Sequence, residues 1–411
     1  MKITYLKYTV FALFTTLTAI SCSDVVNMDE GWDPDMGANG APVVRKITAS
    51  SDTTTAISVA SLNQSIAIFG DNLARVTEVR INDISLDLSQ VYAKRHRLEL
   101  VVPRVLPGTV TNTLTIKTSL GEITTPLTVT LPELKIKGFS NDFAADGDTV
   151  QVLGSDFDLY KIDSISATVK FNNQDIRIFN CSQNGFSIEV PEGTSTEETS
   201  YLSISTPELD SPAKIPFREK GIPILTNDSR TWINGWWATG IVEVKEDSDP
   251  AAPLFKWYVM LKKSYSGAWQ YDNIMITHFW LDDTAADLLA NPEDYYVKME
   301  ILNPTEVPLA RYIKIGNSDL EGDGLIYDWD PASTNNGVSL NTMGKWQTVA
   351  LEVTDVFRGK DGNKTSLKIA KQPYVNQDEF NNLKMAMNRE LAGDMEFYFW
   401  NLRFVKKITV E

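Results

Sequence analysis

The chain of 411 residues carries 54 acidic against 38 basic side chains, a formal charge of −16, with two cysteines and two histidines. That balance argues against a nucleic-acid surface, which needs clustered Lys and Arg, and His96 with His278 alone makes no convincing triad or metal cluster. No cofactor is expected, and the length suits two or three globular domains.

Lys2 and Lys7 flank an apolar run, Tyr8 to Ile20, too short to span a membrane comfortably, so residues 1–21 read as a cleaved signal peptide. Leu17-Thr18-Ala19-Ile20-Ser21-Cys22 resembles a lipobox. The resemblance implies lipidation at Cys22 and an anchor in the outer membrane. Cys181 is then the one thiol left, so no intramolecular disulfide can form. Removing Lys2 and Lys7 takes the charge from −16 to −18. Residues 22–41 carry Asp24, Asp29, Glu30, Asp33 and Asp35 among Gly and Pro, the composition of a flexible tether. This acidic leader is similar to those that send lipoproteins to the cell surface. No later stretch is apolar enough to span a bilayer.

From Pro42 the sequence turns to short β-branched runs between turn residues. Examples are Ser65–Phe69, Val76–Ile81, Leu98–Val102, Leu114–Thr118 and Leu127–Leu131. Two-residue alternation without a long helical period predicts an all-β sandwich. The pattern recurs: Ile66-Ala67-Ile68-Phe69-Gly70-Asp71-Asn72-Leu73 corresponds to Val150-Gln151-Val152-Leu153-Gly154-Ser155-Asp156-Phe157, 84 residues later. Val101-Val102-Pro103 answers Glu189-Val190-Pro191. The repeat predicts two copies of one domain, 42–132 and 133–219. With Val79-Arg80-Ile81-Asn82 and Val169-Lys170-Phe171-Asn172, these copies resemble the IPT/TIG family of immunoglobulin-like domains. The glycine is expected to supply a backbone conformation that side chains disfavour. The copies lack tryptophan, and a spacer role is expected. Cys181 alternates with apolar neighbours and reads as a small buried residue.

Beyond Gly221-Ile222-Pro223, residues 220–411 form a third region, predicted as a larger β-sandwich with small helical decorations. Phe255, Trp257, Val259 and Leu261 share one strand face, which assigns Trp257 to the core. Further strands are expected at Tyr296–Ile301, Val349–Val353 and Phe397–Phe404. Asp283 or Thr284 caps a short helix ending at Asn291-Pro292. Asn376, with Glu379 three residues on, reads as the cap of a longer helix whose stripe is Phe380, Leu383, Met387 and Leu391, ending at Gly393.

Nine of the ten tryptophans lie beyond residue 231. An exposed indole offers a broad, weakly polar face suited to stacking on a sugar ring. Tyr327 and Trp329 share a strand face, flanked by Asp328 and Asp330, and lead the candidates. Trp236 and Trp237 point to opposite faces, so one is core and the other available. Tyr265, Trp269 and Tyr271 are expected on the rim of a loop. Trp280 shares a strand with Ile274, Ile276 and His278, which fits core and site equally. His278 itself reads as a satisfied histidine at the core's edge, and Trp346 and Trp400 as framework.

Tyr296-Val297-Lys298-Met299-Glu300, Tyr327-Asp328-Trp329-Asp330-Pro331 and Gly344-Lys345-Trp346-Gln347-Thr348-Val349 resemble the C-terminal polysaccharide-binding domain of the surface glycan-binding protein B family. The order of lipobox, TIG-like domains and aromatic-rich terminal sandwich is also that family's, although many members carry three immunoglobulin-like domains and this chain has two. The resemblance implies a non-catalytic lipoprotein that captures a β-linked glycan, of hemicellulose, xyloglucan or β-glucan type, for a TonB-dependent uptake complex. A monomer is expected. A surface adhesin that binds a protein partner is the competing class, and a glycoside hydrolase, which would need two flanking carboxylates, a third. Asp319-Leu320-Glu321-Gly322-Asp323-Gly324, with Asp330 at position twelve, echoes an EF-hand loop, but its β context and terminal Asp favour a solvated turn over a metal site.

Overall fold

Alternating apolar residues dictate the layers. In the computed structural model, the described residues are 38–228, 231–233, 242–246, 254, 257–266, 270–303, 312–316, 327–329, 342, 344–358, 367, 381–389 and 392–410. The protein is all-β, with short helical pieces, and divides into two compact units, one ending at Pro132 and one beginning at Glu133.

In the first unit a five-stranded sheet runs in the order Asp52–Ala56, Val43–Ala49, Ser65–Asp71, Arg97–Val101, Tyr92–Ala93. It faces a four-stranded sheet of Gly121–Pro126, Thr113–Thr118, Val76–Ile81 and Ile84–Ser85. Ile47, Ile66, Ile68, Leu98 and Leu100 pack against Val79, Ile81, Leu114 and Ile116 between the sheets. In the second unit the repeat builds an equivalent pair of sheets. One is Lys135–Phe139, Thr149–Ser155, Gly185–Glu189 and Phe179–Ser182; the other is Gln174–Asp175, Thr168–Phe171, Ser200–Ser205 and Ala213–Phe217. Phe217 seals this core against Phe139 and Phe171, with ring centroids 4.9 and 5.6 Å away. Cys181 is half-buried against it.

The repeated glycine acts by close approach and not by an unusual backbone angle. A Cβ on Gly70 would lie 1.8 Å from the carbonyl oxygen of Val43, and one on Gly154 2.1 Å from that of Lys135. Both sit where the neighbouring strand shifts register. The left-handed backbone falls two residues later, at Asn72 (φ 58°) and Asp156 (φ 66°). It falls again at Asn82 (φ 54°) and Asn172 (φ 46°). Asn and Asp tolerate this conformation better than other side chains. Asn82 Oδ1 also accepts from the amides of Thr111 and Asn112 at 3.0 and 2.8 Å, which ties its turn to the facing strand.

The C-terminal region is a sandwich of a six-stranded and a five-stranded sheet. The first is organised on the 15-residue strand Ala392–Lys406. Trp257–Ser266 pairs along its first half and Ile222–Leu225 along its end, with Tyr295–Leu302 on the other side. Val242–Glu246 and Gln347–Glu352 form the edges. The long strand changes its buried parity midway: Phe397 and Phe399 face the core before Asn401, Leu402 and Phe404 after it. A bulge opposite Met299 makes the switch, with Asn401 at φ 57°. The second sheet runs Thr231–Ile233, Gln270–Phe279, Asn381–Arg389, Tyr312–Gly316, Tyr327–Trp329.

One expected helix is absent. Asn381–Arg389 and Ala392–Lys406 are strands, whereas residues 376–380 lie outside the described set. The short helix after Trp280 forms as a 3-10 turn, Asp283–Ala285, running into Ala286–Ala290. Its cap is Asp282, which accepts from the Thr284 amide at 3.0 Å.

A buried polar network joins the second sandwich to the C-terminal one. Lys298 Nζ and Arg403 Nη2 lie 2.8 and 2.9 Å from Asp142 Oδ2, and Arg403 Nη1 lies 2.7 Å from Glu300 Oε2. Thr348 Oγ1 donates to Glu300 and accepts from the Asp142 amide; Arg403 Nε donates to the Glu219 carbonyl. Burial pushes the carboxyls of Glu300 and Glu219 upward, opposed at Glu300 by the Arg403 guanidinium and at Glu219 by Lys298 and Arg403. The chain end completes the joint, with Ile408 and Val410 packed against the core of the second sandwich.

Candidate functional site

The five-stranded sheet has two chemically different faces. Inward, Met275, Thr277, Phe279, Leu383, Met385, Ile315 and Trp329 are buried. Register places Ile276 opposite Lys384 and His278 opposite Asn382, so these four share the sheet's other face, with Ala386 further along; Ile276, Lys384, Asn382 and Ala386 are buried, and His278 is half-buried. Trp280 continues the row of Ile276 and His278, which spans about 14 Å from end to end. His278 Nδ1 is hydrogen-bonded to Asn382 Oδ1. The backbone of Trp232 pairs with His278, and those of Lys314 and Asp328 pair with each other beside Ala386.

This strip can do the chemistry of saccharide recognition. An amide, an imidazole and an ammonium donate and accept toward hydroxyls, while Ile276 and Trp280 add apolar surface. Among the described side chains it carries no carboxylate pair, so nothing described in it assembles the two-carboxylate geometry of glycoside hydrolysis.

The leading aromatic candidates are placed differently from expectation. Trp329 is 0% exposed and sits in the sandwich core. It cannot offer a stacking face without the sheets parting. Tyr265 is 4% exposed, also in the core, and belongs to the strand Trp257–Ser266 instead of a loop rim. Tyr271 lies on the strand Gln270–Phe279 of the other sheet, and residues 267–269 between the two strands lie outside the described residues. Trp280 is 8% exposed and outside the core cluster. Tyr327 and Asp328 lie on the edge strand, opposite Ile315 and Lys314. Trp236, Trp237 and Trp269 lie outside the described residues, as does the 319–326 segment that echoes an EF-hand. Trp257 is half-buried against the core, its ring centroid 3.5 Å from that of the buried Trp400.

Residues 217–406 match the family described as surface glycan-binding protein B xyloglucan binding domain. The match covers the C-terminal sandwich. Among solved structures, the chain is similar to surface glycan-binding protein B of Prevotella bryantii, at 17% identity and TM-score 0.49, covering 90% of this chain and 100% of that one. It is also similar to the protein B of a complex xyloglucan utilization locus in Bacteroides uniformis, at 16% identity and TM-score 0.43, covering 89% and 99%. A third is the protein B of the mixed-linkage glucan utilization locus of Bacteroides ovatus, solved with a mixed-linkage heptasaccharide; identity is 10%, TM-score 0.26, and coverage 84% and 73%. A search of curated proteins finds no match. Asn382 and Lys384, which share the face of Ile276 and His278, are absent from the sequence candidates because the segment that carries them satisfies a helical period. The alternation of Asn382 and Lys384 with Leu383 and Met385 was the available signal.

Proposed function

We propose that the chain is a non-catalytic, surface-exposed lipoprotein of the outer membrane that captures a β-linked glycan of hemicellulose or β-glucan type. The match of residues 217–406 to a xyloglucan-binding domain carries this reading. In it, Cys22 holds the lipid anchor, the two smaller sandwiches are spacer, and the glycan is handed to a TonB-dependent uptake complex. The sugar lies along the other face of the five-stranded sheet, where His278, Asn382 and Lys384 meet its hydroxyls. Trp280, Trp236, Trp237, Trp269 and Tyr271 are the candidates for stacking, and Asp328 for a further hydrogen bond. Such a site is shallow and wet, so micromolar or weaker affinity is expected, raised at a surface by avidity for a long polymer.

Calorimetric titration of the chain against xyloglucan, mixed-linkage β-glucan and mannan tests the reading. Binding to at least one, lost in Asn382→Ala with Lys384→Ala at a temperature where circular dichroism shows the variant folded, is the expected result. No binding to any of them overturns it, and release of reducing sugar would make the protein a hydrolase.

A further inference from the structure

The second sandwich carries an aromatic side chain that its core does not use. Phe179 opens the edge strand Phe179–Ser182 and is half-buried, yet it stands apart from the core, which takes in Ile178 before it and is covered by Cys181 after it. Asn180 makes this possible. Its left-handed backbone (φ 51°) falls where the register shifts between Phe179 and Ser182, so Phe179 turns to the solvent face and Cys181 back to the core. The first sandwich repeats the placement. Ala67 and Gln151, equivalent in the sequence repeat, stand opposite Glu99 and Ser187, and these in turn stand opposite Tyr92 and Phe179. Tyr92 is exposed and also outside its core. A ring at the same edge position in both copies, needed by neither core, is a feature of the surface and not of the packing.

Around Phe179 the fold forms a depression of about 630 Å³. Gln174 reaches its rim from the short strand Gln174–Asp175, and Arg177 from the segment that joins this strand to the edge strand. Glu189 and Glu192 come from the end of Gly185–Glu189 and just beyond. All four are exposed. Among the described residues, none of these four side chains makes a hydrogen bond or an ion pair, although a guanidinium and two carboxylates meet there. Flanking charges are already paired: Asp175 lies 3.6 Å from Lys170, and Asp146 3.1 Å from Arg218. An apolar ring rimmed by an amide, a guanidinium and carboxylates suits a pyranose, whose C–H face packs on the ring while its hydroxyls donate and accept. Two carboxylates against one cation disfavour an anionic sugar.

We propose that this depression is a second glycan subsite, which takes a neutral segment of the same polymer that the C-terminal sandwich binds. The second sandwich then adds avidity instead of serving only as spacer. The proposal rests on the reading of the chain as a β-glycan binder.

Calorimetry with xyloglucan, mixed-linkage β-glucan and mannan, each as polymer and as trisaccharide, compares the unaltered chain with Arg177→Ala plus Phe179→Ala. The double variant is expected to bind polymer about tenfold more weakly, while trisaccharide binding at the C-terminal sandwich holds. Hydrogen exchange reads the site without any substitution: saturating polymer should slow amides within residues 174–192 of the unaltered chain. Unchanged polymer affinity in the double variant, or no added protection across residues 174–192, overturns the proposal even where the C-terminal sandwich binds. Failure of the functional reading shows differently, as an unaltered chain that binds none of the three polymers, and the subsite falls with it.

Discussion

Trp329 illustrates how burial decides what a side chain can do. It packs with Ile315, Met385 and the rest of the sandwich core, so Trp329→Ala is expected to lose about 3–5 kcal/mol of stability. The measurement is a denaturant midpoint; an unchanged midpoint with lost glycan binding would return the indole to the site. Glu300 makes the second case at this scale. Burial raises its carboxyl above the ordinary value of 4.5, so the folded state holds the proton more tightly than the unfolded one. The stability this group contributes is therefore fully present below 4.5 and is lost as pH rises through its folded value. Glu300→Gln cannot titrate. Relative to that variant, the wild type should lose stability as pH increases from 4.5, and parallel pH profiles for the two would refute the assignment.

At the scale of elements, the repeated glycines gate strand packing. Gly70→Ala or Gly154→Ala would drive a Cβ into the carbonyl of Val43 or Lys135, where neither backbone can yield without breaking its ladder. Each substitution is expected to cost several kcal/mol, beyond the roughly 1 kcal/mol of a typical point substitution. Hydrogen exchange should show the loss in the sandwich that carries the substitution. The all-β architecture was legible because strands such as Val76–Ile81 and Tyr295–Leu302 alternate or carry β-branched residues. The segment after Asn376 was not, since Phe380, Leu383, Met387 and Leu391 satisfy a helical period while Leu383, Met385 and Met387 satisfy a strand period equally. Pairing with Gln270–Phe279 and Tyr312–Gly316 decides between them, and no local pattern encodes that pairing. The same misreading hid Asn382 and Lys384. Trp329 misled for a related reason: Asp328 and Asp330 beside it resemble an exposed setting, but a two-residue period lets an edge strand bury alternate positions completely.

At the scale of the molecule, the joint after the second sandwich is part of the C-terminal domain's own stability. Asp142 comes from the second sandwich, and Lys298, Glu300 and Arg403 come from the third. Phe143 packs against the C-terminal core and under the Arg403 guanidinium, 4.9 Å from its ring centroid. Cutting the chain at residue 220 would strip Asp142 from two cations and the Glu219 carbonyl from Arg403, and would bare Ile408 and Val410. Removing one partner from a buried charge network typically costs about 3–5 kcal/mol, although water reaching the cut face returns part of it. Residues 133–411 are therefore expected to unfold in one cooperative transition at a midpoint well above that of residues 220–411. The full chain should show a second, separate transition for the unit that ends at Pro132. Calorimetry of the three proteins checks this. Equal midpoints for the two shorter ones would mean that the network fixes the angle of the joint without stabilising either side.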